Sequence, residues 1–317
     1  MSIIISVAAG VAIIMAVSFF TGNKSKNSKL IKENIPRNLG ILNGVPLAHL
    51  SGKLDAAFGE EYVSKVRSRY LKQHPEITED EFEWRLFELK RYFLLNSLLK
   101  STPMFSEEVD DIWHEMLMFT EDYQRFSEKY IGTMLHHTPN LDSEPVPQER
   151  AFFDWVFSQL FEITEYSWKA WGGFFRYPLD QKVLQDFKNL NTDGLLHKYF
   201  KVKDESKELA VYLIMKMKKQ INESQAINTE NERGHFSRPA TYGDLTSLSL
   251  VMVFFSYYYF DDYWAYVNKY AFANQFHSTS GCSSASFCGS GSQGSDGKGD
   301  SSCSSGSCSS CGGGCSS

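Results

Sequence analysis

Cysteine is absent from the first 281 residues; all six copies, at 282, 288, 303, 308, 311 and 315, lie behind that point. The body therefore has no disulfide and no thiol nucleophile, which suits a reducing compartment without requiring one. Basic excess is also missing. Lys and Arg number 32 against 38 Asp and Glu, a net charge of −6. That balance provides no field for a phosphate backbone, so nucleic acid is not an expected partner. No serine stands in a Gly-x-Ser-x-Gly setting, which removes that route to a hydrolytic nucleophile.

What is present begins with a long apolar run. Ile3 to Phe20 is eighteen residues without a charge, about 27 Å as a helix and close to the hydrocarbon thickness of a bilayer. No basic segment precedes it and no small-residue cleavage site follows, so a removable leader fits poorly. Lys24, Lys26, Lys29 and Lys32 come next. By the positive-inside rule they place the body in the cytoplasm and the N-terminus outside. Residues 1–22 are thus expected to be a transmembrane anchor at the cell membrane, and 23–46, with Pro36, Gly40, Gly44 and Pro46, a linker.

Between this anchor and the tail lie roughly 220–250 residues, enough for a sizeable core. Helical periodicity dominates them. Apolar positions at 50, 54, 58, 62 and 66 predict a helix over 47–72, broken at Gly59. Thr78 to Glu81 has capping-box spacing and opens a helix through Phe82, Leu86, Leu89, Phe93 and Leu99. Ala151 to Trp171 reads as one core helix. Its aromatic content would also suit a bilayer surface, but Asp154, Glu162 and Glu165 on its polar face argue against that. Short helices are expected over 180–190 and 194–200, a longer one over 205–222, and a polar connection over 223–240.

Val109 to Pro139 concentrates the chemistry. Ser106 is a candidate N-cap, with acidic residues in the first turns, and apolar positions predict one helix over 106–131 stopped by Gly132. On that helix Asp110, His114, Leu117 and Glu121 share a narrow stripe at the edge of the core, and His136 and His137 follow in the exit turn. Asp110, Trp113, His114, Tyr123, His136 and His137 are the motif residues. Asp110, His114, Glu121, His136 and His137 are the candidate ligands of a divalent metal, since neutral imidazoles and carboxylates at i,i+4 can face one ion. The competing reading is a polar structural network in which the histidines pin the turn onto the helix.

These residues carry a resemblance. The segment from Glu88 to Pro139 resembles the glycine-rich domain-containing protein family, whose pattern is an Asp, a Trp-His-x-His, a Thr-x-x-Tyr, and a Gly followed by His-His-x-Pro. Asp110, Trp113, His114, Thr120, Tyr123, Gly132, His136, His137 and Pro139 match it, and the stretch Glu88 to Leu95 is similar to the helix before the motif. Met116 stands where the pattern has its second His, and Ser127 where it often has a Cys. The resemblance implies an all-helical fold and no defined activity; Met116 favours the structural reading of the histidines.

Two stretches remain. Leu245 to Phe260 has sixteen uncharged residues, about 24 Å as a helix. It reads either as a second membrane span with a tyrosine belt or as a buried helix running on through Tyr263 to Phe272. Residues 277–317 are dominated by Ser, Gly and Cys and are expected to be disordered. There Cys308, Cys311 and Cys315, with Cys303, have zinc-like spacing but no hydrophobic frame; acylation is another use for thiols near a membrane.

The expectation is an all-α protein: an anchor (1–22), a linker (23–46), a helical-bundle body (47–240, motif at 88–139), an aromatic helix that would be a second span (241–276) and a disordered tail (277–317). The preferred function is a membrane-tethered interaction or scaffold module with a protein partner that the sequence does not name. The alternatives are a metal-dependent enzyme or metal-binding protein built on the Asp/His motif, and a metal or redox sensor built on the tail thiols.

Overall fold

The structure, a computed structural model, describes residues 30–137, 147–230 and 236–270. The expected anchor at 3–20, Pro139 of the motif and the four tail thiols lie outside them. The chain divides into two units, Met1–Ser278 and Thr279–Ser317, and the second lies wholly outside the described residues.

Among the described residues there are twelve α-helices and no strand: α1 Ala48–Phe58, α2 Glu60–Gln73, α3 Glu79–Leu98, α4 Glu107–Leu117, α5 Thr120–Ile131, α6 Pro147–Leu160, α7 Glu165–Ala170, α8 Gln181–Asn189, α9 Thr192–Tyr199, α10 Asp204–Glu230, α11 Thr246–Tyr258 and α12 Tyr263–Val267. The fold is all-α, as the periodicity implies. Gly59 separates α1 from α2 at a φ of 63°, a backbone region open to glycine at little cost.

One group of helices centres on α3. Its N-cap Thr78 accepts a hydrogen bond from the Glu81 amide. Thirteen of its twenty residues are buried, far more than one apolar face would supply. It packs against α1, α2, α4 and α7 and against the segment that precedes α1. A second group centres on α10, which packs on α6, α8, α9 and α11.

Burial of α3 includes two charges. Glu88 and Arg91 have fully buried side chains and pair at 3.4 Å. The Glu88 carboxylate accepts from Ser167 Oγ at 2.6 Å and from the Trp171 indole N–H at 2.9 Å. Arg91 donates from Nε to the Leu39 carbonyl at 2.8 Å and from Nη1 to Ser167 Oγ at 3.1 Å. Its guanidinium lies 3.9 Å from the Phe87 ring centroid. Burial draws the Arg91 pKa down to about 10, against the pull of Glu88. One cluster thus joins α3, α7 and the 30–46 segment. Where Arg91 meets that segment, Asn38, Leu39 and Gly40 form a left-handed turn with φ of 50°, 55° and 59°. A Cβ at Gly40 would approach Arg91 Nη2 to 2.4 Å.

Three helices end where periodicity does not place their ends. The expected 106–131 helix is two helices, separated at Met118 and Phe119. The Met116 carbonyl, which would continue the helix, accepts instead from the Tyr62 hydroxyl at 2.9 Å and the Phe119 amide at 3.2 Å. The expected 151–171 helix breaks after Leu160. There the peptide groups turn outward: Leu42 N–H donates to Leu160 O, Glu162 N–H to Gly40 O, and Ile163 exchanges two bonds with Gly243. Thr164 then recaps the chain in a capping box with Ser167. Helix α10 runs to Glu230, into the expected connection.

The reading of 245–260 as a second span is corrected. Among the described residues no helix is long and apolar enough to cross a membrane. Helix α11 has thirteen residues, roughly 20 Å against the ~30 Å of a bilayer core. It is buried in protein, and its serines hold polar groups of the core. Ser249 Oγ accepts from Gln159 at 2.9 Å and Gln220 at 2.8 Å, and Ser256 Oγ accepts from the Leu179 amide at 2.9 Å.

Two outcomes follow for stability. Glu88→Ala leaves Arg91 buried without its counter-charge, so denaturant unfolding should show a loss of about 3–5 kcal/mol; a loss under about 1 kcal/mol would contradict the buried pair. Asp186 on α8 accepts from Lys198 and Tyr199 on α9. Burial alone would raise its carboxyl, but those donors outweigh it and hold the pKa below the usual range. The unfolded chain therefore takes up this proton first as pH falls, so the contribution is present above about pH 4 and is lost below it. The Tm gap between wild type and Asp186→Asn is expected to be widest near neutrality and to narrow toward about pH 3; a gap that does not change with pH would contradict it.

Candidate metal centre

The site is built on α4 and on the loop that follows α5. Ser106 caps α4 by accepting from the Val109 amide. Val109, Ile112, Trp113 and Met116 turn into the core, which leaves Asp110 and His114 one turn apart at its edge. Helix α5 buries Tyr123, Phe126 and Tyr130 and stops at Gly132, whose φ of 78° lets the chain leave the helix. The loop returns over α4 and buries Leu135.

Trp113 sets the floor of the site. Its ring meets Phe93 edge-on at 5.1 Å and Tyr92 at 5.6 Å, both on α3. Its indole N–H donates to the Tyr123 hydroxyl at 2.9 Å, and that hydroxyl donates to the Leu135 carbonyl at 2.6 Å. Burial pushes the Tyr123 phenol upward, so the hydroxyl keeps its proton for this bond.

The loop thereby delivers His137. Its Nε2 lies 2.8 Å from Asp110 Oδ1, and its side chain is 6% exposed. His114 Nε2 lies 3.6 Å from Asp110 Oδ2, with 52% of its side chain exposed. The two imidazole rings are 4.6 Å apart, and the Trp113 ring stands edge-on to His137 at 4.4 Å. One ligand atom from each of Asp110, His114 and His137 falls within a 4.8 Å cluster.

The other sequence candidates stand apart from this set. His136 and Glu121 are exposed, and neither belongs to the cluster. The break at Met118 and Phe119 ends the continuous stripe that would have carried Glu121 beside His114. Met116 is buried in the core, so the position where the pattern has a second His faces away from the ligands.

Two imidazoles and one carboxylate are a donor set for zinc, iron(II), manganese or cobalt rather than for an all-oxygen ion such as calcium. In tetrahedral zinc sites neighbouring ligand atoms lie roughly 3.3 Å apart, within the range seen here. Buried on the Trp113 side and open on the His114 side, the set fits an ion with coordination positions left for water.

Sequence reasoning missed the supports of this site. The Leu135 contact is to a carbonyl and leaves no mark in the sequence. The Glu88–Arg91 pair did leave one: opposite charges spaced i,i+3 in the largely apolar stretch from Leu86 to Leu95, which also holds Lys90.

Comparison with known proteins corrects the family resemblance. Residues 55–151 match the model of a family described as UCP032817-like, which is uncharacterised, and no glycine-rich domain family is indicated. The short motif that suggested the other family is spread over few positions, whereas this match takes in α2 to α5 whole. No curated protein and no solved structure matches the chain. The matched residues include Asp110, Trp113, His114, Tyr123 and His137, so the chain is similar to an uncharacterised family over the segment that builds the candidate centre.

Proposed function

We propose that this is a divalent-cation-binding helical protein, with Asp110, His114 and His137 as the ligands. One observation carries the reading: three donor groups, from two turns of α4 and from a distant loop, meet within 4.8 Å at the edge of the core. His137 is the least exposed of the three, and His114 marks the open side. A cation held there with water in its remaining positions would supply Lewis-acid polarisation or a more acidic water. The chain's own part is to hold the two imidazoles and the carboxylate oriented toward one point and to keep water from the Trp113 side.

A second reading has its own support. The His137 ring and the Asp110 carboxylate already satisfy each other at 2.8 Å. In that reading the motif is a structural latch, and the protein is an interaction or scaffold module, tethered at a membrane by residues 3–20.

The two separate in a full-length chain whose six cysteines are replaced by serine, which removes thiolate binding by the tail. Metal analysis after dialysis against zinc is expected to give one equivalent. Asp110→Ala, His114→Ala and His137→Ala should each weaken binding by about tenfold or more, while His136→Ala and Glu121→Ala bind as the parent does. No bound zinc in the parent, or full binding in His137→Ala, would overturn the metal reading and leave the latch.

A further inference from the structure

We infer that Tyr123, which is not a ligand, is the positioning residue that sets the affinity of the cation site. The inference rests on the metal reading above. His114 and Asp110 share one helix and need nothing else to stay together. His137 belongs to a loop, and its position must be fixed by something outside the ligand set. Among the described residues, no backbone–backbone hydrogen bond holds 133–137. The loop backbone is instead fastened at Leu135 O by the Tyr123 hydroxyl, two residues before the ligand.

That hydroxyl is aimed. A phenol has one proton to donate and lone pairs to accept with, whereas an indole N–H can only donate. Trp113 Nε1 donates to the Tyr123 oxygen at 2.9 Å, so the phenol proton is directed away from Trp113 and onto Leu135 O at 2.6 Å. Tyr123 and Trp113 are both buried. The relay therefore starts in the Trp113 ring, which also touches the His137 ring at 4.4 Å, and ends at the loop that carries His137. Both ends of His137's position are set from α4 and α5, not by the loop's own conformation. Partners that orient a ligand in this way tune affinity because the cost of ordering the ligand is met before the ion arrives.

The test uses the full-length, serine-substituted chain, with cobalt(II) as the probe because its visible absorption reports ligand geometry. Affinity is taken from cobalt titration and zinc competition well below the Tm, with near-ultraviolet circular dichroism to establish folding. Tyr123→Phe is expected to bind one equivalent about tenfold to a hundredfold more weakly, with an altered visible spectrum. Trp113→Phe keeps the hydroxyl but removes the donor that aims it, and should lose affinity in the same direction; it carries the test if Tyr123→Phe does not fold. A merely structural role would lower the Tm of either variant and leave the affinity and spectrum of the folded protein unchanged, and that result would overturn the inference. If the parent itself binds no cobalt, the metal reading fails first. If the parent binds and the folded variants match it, only the role of Tyr123 fails.

Discussion

A carboxylate and a guanidinium sit one turn apart in the middle of α3, both wholly out of water. Charges so placed are costly unless they are paired and hydrogen-bonded. Glu88 and Arg91 draw in the hydroxyl of Ser167, the indole of Trp171 and the carbonyl of Leu39. In doing so they fix α7 and the 30–46 segment on α3. The left-handed turn at Asn38–Gly40 and the break between α6 and α7 both form around this cluster. Further along α3, Tyr92 and Phe93 carry the ring of Trp113. The candidate centre is thus held by a helix that is itself locked in place by a buried ion pair.

Helix class, most helix starts and the turn at Gly59 were legible in the sequence, because local signals decide them: apolar spacing, the Thr78 cap and glycine at positive φ. Two of the three places where a helix end was misplaced share one cause. At Met116 and at residues 161–163 a backbone group finds its partner on a segment distant in sequence, Tyr62 in one case and Gly40 or Gly243 in the other. Periodicity carries no record of such a bond. The apolar run at 245–260 was ambiguous for a related reason. A core helix and a membrane helix look alike until Ser249 and Ser256 are seen holding Gln159, Gln220 and Leu179.

The candidate site divides in the same way. Asp110 and His114 at i,i+4 are written plainly, and the choice of His137 over its neighbour His136 is not. Burial of Leu135 and the Tyr123 bond to its carbonyl set the loop's phase, so His137 turns inward and His136 outward. Glu121 dropped out when the helix broke. The set that remains is smaller than the sequence suggested, and it has the mixed nitrogen and oxygen donors suited to a borderline divalent ion. Its open side is where the reading as a metal centre differs most from the reading as a latch, because a latch has no use for a half-exposed His114.

The most direct measurement is X-ray absorption at the zinc edge on the full-length chain with its six cysteines replaced by serine, loaded with one equivalent. The result expected is a first shell of nitrogen and oxygen alone at about 2.0–2.1 Å, with the outer-shell scattering of two imidazoles. A shell of oxygen alone, without imidazole scattering, would contradict the centre and would leave Asp110, His114 and His137 a hydrogen-bonded latch.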